Sequence, residues 1–177
     1  MEYVDGPNLE QWLHENTSGH SELLEIFVQI VKGTQAVHQQ GIIHRDLKPS
    51  NVLLQRVGDA WLPKVSDFGI AMLKTDASTL PFSSQLVGTP SYMAPEQRES
   101  PSQVDERADI YALGLTLYEL LLLTPAFEAA DRIKLIYLIN NTEATRPRSI
   151  DPRIPRDLET IILKCIEKDP ARRYPSA

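Results

Sequence analysis

Ten consecutive residues, IIHRDLKPSN from Ile42 to Asn51, place a histidine, an arginine, an aspartate, a lysine and an asparagine behind two β-branched apolar side chains. Asp67 follows, inside Ser66-Asp67-Phe68-Gly69. Together these residues match the demands of moving a phosphoryl group to a hydroxyl. One carboxylate must orient the hydroxyl and accept its proton, a cation must offset charge on the transferring group, and oxygen ligands must hold a divalent ion against the phosphates. Asp46, Lys48, Asn51 and Asp67 supply one residue type for each task. Asn51 and Asp67 are hard oxygen donors, which suit magnesium (or manganese) rather than zinc or copper.

These side chains need a scaffold. Ser21 to Gln40 reads as a helix, with Ser21 as a cap, Glu22 and Glu25 in the positive first turn, and Gly41 as its stop. Val52–Leu54 and Lys64–Ser66 read as two short strands joined across a turn containing Gly58-Asp59, which carries the chain from Asn51 back to Asp67. From Asp67 to Glu96 no period is sustained, and a loop of about thirty residues inside a compact unit is usually functional. Helices resume near Arg107–Leu122, apolar nearly all round and so buried, then near Asp131–Asn140 and Pro155–Glu167, where Pro155 suits the first turn. The expected fold is mainly α with a small β-hairpin patch.

Further blocks carry the same theme: GTPSYMAPEQ (Gly88 to Gln97), ADIYALG (Ala108 to Gly114) and KDPARRY (Lys168 to Tyr174). With HRDLKPSN and SDFGIA (Ser66 to Ala71), the sequence resembles the eukaryotic-like serine/threonine protein kinases, and most of all their bacterial members. The resemblance covers most of the chain and implies the large helical C-terminal lobe of that fold. It makes Asp46 the catalytic base and Lys48 the group that steadies the transferred phosphate. Asn51 and Asp67 become magnesium ligands beside ATP. Arg45 would receive an activation-loop phosphate, with Ser83 and Ser84 nearest the spacing of an activating site, although Met72 stands where many relatives carry a second basic residue. Thr89 would line the substrate pocket and bond the base. His44 and Phe68 are packed structural residues, Asp109 anchors the catalytic-loop backbone, and Glu96 pairs with Arg173.

MEYVDGPNLEQWL resembles the segment that links the two kinase lobes. Met1, Glu2 and Val4 would then meet adenine, with Leu53 as the floor beneath the ring. On this reading residues 1–8 are the linking segment and 9–177 the C-terminal lobe, with its final helix cut short. No glycine-rich GxGxxG loop occurs in the 177 residues. The expectation is a lobe whose N-terminal partner lobe lies elsewhere, inactive by itself, with Phe68, Leu53 and Met1 facing solvent. The alternative is a non-catalytic, pseudokinase-like binding module or dominant inhibitor. The partners implied are ATP and a protein carrying the acceptor serine or threonine.

Bland roles compete at each position. Asp46 and Asp67 serve equally well as turn and capping aspartates outside this pattern, the loop serines and threonines as solvated hydroxyls, and His14, His20 and His38 as surface or helix residues. A net charge of −6 disfavours nucleic-acid and anionic-membrane surfaces. The longest apolar run, near Leu113–Leu123, is too short and polar to span a bilayer. One cysteine, Cys165, excludes an intrachain disulfide, reads as a core residue and fits a reducing cytoplasm.

Overall fold

The computed structural model describes residues 4–15, 19–68 and 90–177. Seven α-helices and one two-stranded antiparallel sheet make up the described regular structure, with single turns of 3-10 helix between them. They are α1 (Leu9–Glu15), α2 (His20–His38), β1 (Val52–Val57), β2 (Ala60–Val65), α3 (Pro95–Glu99), α4 (Arg107–Leu122), α5 (Arg132–Asn141), the single turn α6 (Pro147–Ile150) and α7 (Arg156–Cys165).

α4 is the axis of the core. Apolar residues surround it, and almost every one of its side chains is buried, from Ala108 to Leu121. Gly114 lets α7 come close: a Cβ placed there would lie 2.5 Å from Cys165 Cβ and 2.8 Å from Ile166 Cγ2. α2 packs its Leu23, Ile26, Ile30 and Thr34 face inward, touching α4 on one side and β2 on the other.

The hairpin is longer than the sequence pattern marks. Its ladder runs from Val52↔Val65 to Val57↔Ala60, with Gly58 at φ +60 in the two-residue connection, a conformation that glycine adopts without a Cβ penalty. Ser66 falls outside β2. Half-buried Trp61 of β2 meets the buried Trp12 edge-on at 6.1 Å. The stretch before α1 runs against β1, where Leu54 N–H donates to the Pro7 carbonyl at 2.9 Å and Asn8 bridges Leu53. That approach needs Gly6, because a Cβ there would sit 1.9 Å from the Leu54 carbonyl oxygen.

Several helix boundaries differ from the pattern. α2 starts at His20 with Gly19 as its N-cap, so Ser21 lies inside the first turn and caps nothing. Pro155 is the N-cap of α7 rather than part of its first turn. The stretch read as loop up to Glu96 holds a 3-10 turn at Pro90–Tyr92 and the start of α3. α1 and α6 were not legible as separate helices. No helix among the described residues is long and apolar enough to cross a membrane.

Candidate active site

The site is built on the irregular stretch between α2 and β1. Asp46 is its hub. Lys48 Nζ donates to both carboxylate oxygens, at 3.1 and 2.8 Å, and Asn51 Nδ2 donates to Oδ2 at 2.9 Å and to the Asp46 carbonyl at 2.7 Å. The 3-10 turn Pro49–Asn51 folds the chain so that residues two and five positions after Asp46 return to it. Both Asn51 amide bonds therefore go to Asp46. Its amide oxygen stays uncommitted among the described residues.

The hairpin returns Asp67 to the same place. Ser66 N–H donates to the Asn51 carbonyl at 2.9 Å, Ser66 Oγ donates to that carbonyl at 3.1 Å, and Ser66 Oγ meets Asp67 Oδ2 at 3.2 Å. Asp67 is exposed and has φ +57, a left-handed conformation for a non-glycine residue. His44 is buried behind this pair. Its Nε2 bonds the Ser66 carbonyl at 2.8 Å, and its ring meets Phe68 at 4.8 Å. Phe68 and Leu53 are half-buried rather than open to solvent, because His44 and the bridge from Asn8 cover part of each.

Beneath the loop lies Asp109, 1% exposed. Its Oδ2 accepts from His44 N–H and its Oδ1 from Arg45 N–H, each at 2.8 Å. His38 Nε2 bonds Oδ2 at 2.8 Å as well. Holding two consecutive amides lets Arg45 keep φ +67, a conformation that costs an ordinary residue on the order of 1–3 kcal/mol. The Arg45 carbonyl accepts from Gln97 Nε2 at 2.7 Å, and Gln97 Oε1 accepts from Ala94 N–H. The Arg45 guanidinium has no hydrogen-bond partner among the described residues.

Asp46, Lys48, Asn51, Asp67 and His44 are thus brought together, with Arg45 beside them. Val4 is half-buried. Met1, Glu2, Ser83, Ser84 and Thr89 lie outside the described residues. Glu96 and Arg173 meet through two bonds of 2.6 and 2.9 Å. His38, read as a surface or helix residue, is the last residue of α2 but not at the surface: its side chain is 7% exposed and partners Asp109. Its ligand lies far away in sequence, so no local spacing marks it. Gln97 was also missed, as was the contact between the Tyr92 hydroxyl and Glu119 Oε2. Burial and the Glu119 neighbour push the Tyr92 phenol well above its ordinary range, and burial raises the Glu119 carboxyl.

A divalent cation fits the donor set. The Asn51 amide oxygen, uncommitted among the described residues, and the exposed Asp67 carboxylate are both hard ligands, and Ser66 bonds the backbone carbonyl of the one residue and the carboxylate of the other.

Comparison with known proteins agrees with this geometry. The model of the protein kinase domain family matches residues 1–177. A probable serine/threonine-protein kinase of Streptomyces coelicolor is 40% identical across 100% of the chain, which covers 26% of that relative. The serine/threonine-protein kinase PrkC of Bacillus subtilis is 35% identical, again over 100% of the chain and 27% of the relative. The chain therefore spans about a quarter of the length of these relatives. Among solved structures, the kinase domain of PknI from Mycobacterium tuberculosis superimposes with a TM-score of 0.73 at 27% identity, covering 99% of this chain and 60% of that one. Rad53 in complex with AMP-PNP gives 0.76 at 27%, covering 98% and 42%. The mainly helical build with one hairpin is that of the large kinase lobe. The chain belongs to the protein kinase family, in its bacterial, eukaryotic-like serine/threonine branch.

Proposed function

We propose that this chain supplies the catalytic machinery with which a serine/threonine kinase transfers the terminal phosphoryl group of ATP to a protein hydroxyl. The observation that carries this reading is the Asp46–Lys48–Asn51 hydrogen-bonded set, joined through Ser66 to Asp67. Asp46 accepts the proton of the attacking serine or threonine hydroxyl, and its bonds from Lys48 and Asn51 fix the direction of its oxygens. Lys48 reaches past Asp46 to the transferring group. Asn51 and Asp67 would hold magnesium, which would supply positive charge to offset that of the phosphates. In this reading Val4 and Leu53 belong to the adenine side, as would Met1 and Glu2; Thr89 would serve the acceptor pocket, and Arg45 would receive a phosphate on Ser83 or Ser84. The Arg45 guanidinium, which has no hydrogen-bond partner among the described residues, supports that last assignment.

Positioning and electrostatics supply most of the rate in this chemistry. The 177 residues contain no glycine-rich phosphate loop, so we infer that they need a partner lobe to work. The lone cysteine supports a reducing cytoplasm as the compartment. In the full-length protein, Asp46→Asn should lower phosphate transfer from labelled ATP by roughly 10²- to 10⁴-fold without loss of fold. Transfer at the unaltered rate by Asp46→Asn and by Asp67→Ala would overturn the assignment.

A further inference from the structure

α2 and α4 pack in opposite directions. At one end of the pair, His38 of α2 bonds Asp109 of α4 beneath the catalytic loop. At the other end, the start of α2 and the last turn of α4 border a cavity of about 310 Å³. Measured along α2 from His20 to His38, the two ends are about 27 Å apart at 1.5 Å per residue. The floor of the cavity is leucine: Leu23 of α2 and Leu120 and Leu121 of α4, all buried, with Leu13 of α1 beside them. Its rim holds apolar groups left in water, Ile150 of α6 and Leu123, which is 66% exposed. Leu123 ends α4 at φ +54, the left-handed region in which glycine usually closes a helix and any Cβ is strained. An exposed, strained leucine gives the fold little packing in return. At the mouth of an apolar cavity it supplies wall.

His20, Asp151 and Arg153 form the rest of the lining, and their spare hydrogen-bonding capacity lies on the donor side. Asp151 Oδ1 accepts from Arg153 N–H and Nε, each at 2.9 Å, and Oδ2 accepts from Nε at 3.1 Å and Nη2 at 2.8 Å. Four contacts fill the lone-pair sites of a carboxylate. Those bonds from Arg153 hold the Asp151 carboxyl down at about 2, so it takes up no proton to donate. Arg153 keeps both Nη1 hydrogens and one on Nη2 without an acceptor among the described residues, on a side chain that is 83% exposed. His20 Nε2 stands 4.0 Å from Asp151 Oδ2, outside hydrogen-bond range. His20 also begins α2, whose N-cap Gly19 has no side chain to offer the first-turn amides, so the positive end of a long helix adjoins the cavity. The carbonyl end of α4 repels an anion, which places a negative group with Arg153 and His20 instead. The volume is about twice the roughly 150 Å³ that holds one benzene ring, enough for an apolar body of two fused rings.

We propose that this cavity binds a small apolar monocarboxylate, its body seated on the leucines and its carboxylate on Arg153 and His20. The site is separate from the Asp46–Lys48–Asn51 set, and its occupancy does not depend on phosphoryl transfer. A ligand there ties α1, α2, α4 and the turn after α6 together.

The test titrates the full-length protein, its leucine and isoleucine methyl groups labelled, with 2-naphthoate and follows it by NMR. Methyls of Leu23, Leu121 and Ile150 should shift saturably, with a dissociation constant of roughly 0.1–1 mM for a ligand of about a dozen heavy atoms. Those of Leu53 and Leu54 should stay in place, and saturating AMP-PNP should not displace the ligand. 2-Naphthylmethanol and 2-naphthylmethylammonium, of similar shape without the negative charge, should each bind at least roughly tenfold more weakly. Arg153→Ala should weaken 2-naphthoate by a similar factor, since it removes the donors and leaves the Asp151 charge unpaired. Leu123→Gly should weaken it roughly three- to tenfold while the melting temperature holds or rises, because glycine relieves the left-handed strain; lost binding in that variant is then not lost folding. No shift at the three methyls up to about 10 mM, equal binding of the alcohol or the ammonium, or an unchanged constant in Arg153→Ala would each overturn the proposal. So would displacement by AMP-PNP, or a crystal structure with the cavity filled by the chain's own side chains.

Discussion

Arg173 offers a prediction whose magnitude follows from a complete donor account. Its side chain is 0% exposed and has five N–H groups. Nε donates to the Glu167 carbonyl at 2.7 Å. Nη1 donates to Glu96 Oε1 at 2.6 Å and to the Arg107 carbonyl at 2.9 Å. Nη2 donates to Glu96 Oε2 at 2.9 Å and to the Lys168 carbonyl at 3.1 Å. No donor is spare and none is idle. Arg173→Ala strips Glu96, whose side chain is 16% exposed, of its counter-ion, and leaves three carbonyls short of a donor. Breaking a buried pair from one side costs about 3–5 kcal/mol. For a chain of this size that is a fall in melting temperature on the order of 6–20 °C. Arg173→Lys should recover only part of this, because an ammonium has three donors and no planar fork. Removing both partners together, as Glu96→Leu with Arg173→Met, should cost less than the sum of the single changes, by about 1–3 kcal/mol. Urea unfolding followed by circular dichroism measures all five variants, the Glu96→Leu and Arg173→Met single changes included. A loss below about 1 kcal/mol for Arg173→Ala, or strict additivity in the double variant, refutes the reasoning.

Asp109→Asn should release the amides of His44 and Arg45, since one carboxylate oxygen becomes a donor facing a donor; their hydrogen exchange should quicken at least roughly tenfold while α7 amides hold. Gly114→Ala should destabilise by about 1–3 kcal/mol despite alanine's better helix propensity, because its Cβ would overlap Cys165 and Ile166; unchanged urea stability would contradict the packing. Cys165, buried and pushed up to about 12, should resist aromatic disulfide reagents at pH 8 until denaturant is added. Burial gives Lys168 a folded value, about 8, below its ordinary 10.5, so the unfolded chain binds the extra proton and this group adds stability as pH climbs from about 8 towards 10.5. The stability of the natural protein relative to Lys168→Met should therefore rise across that window, as read by urea midpoints.

What the sequence revealed and what it hid divide along one physical line. Asp46, Lys48 and Asn51 sit within five positions of each other, and a short hairpin returns Asp67, so local spacing displays their convergence. The bounds Arg107–Leu122 could be read because nearly every residue there is apolar. α1 was hidden because seven residues make too short a period to stand out, and Leu9 and Trp12 passed for part of a linking segment. His38 looked like a helix-end residue because its partner, Asp109, comes from a distant helix. The same holds for Tyr92 with Glu119. Contacts between remote elements leave no periodic trace.

The bare backbone at Gly6 has a wider reach than its size implies. Only an absent side chain lets that strand edge be approached, so position 6 fixes how closely the segment before α1 lies on β1. Any larger residue must lift the segment off β1, changing the width of the slot proposed for adenine while leaving every lining residue intact. If the chain binds ATP as proposed, its nucleotide affinity would be exposed to mutation at a residue that never touches the nucleotide.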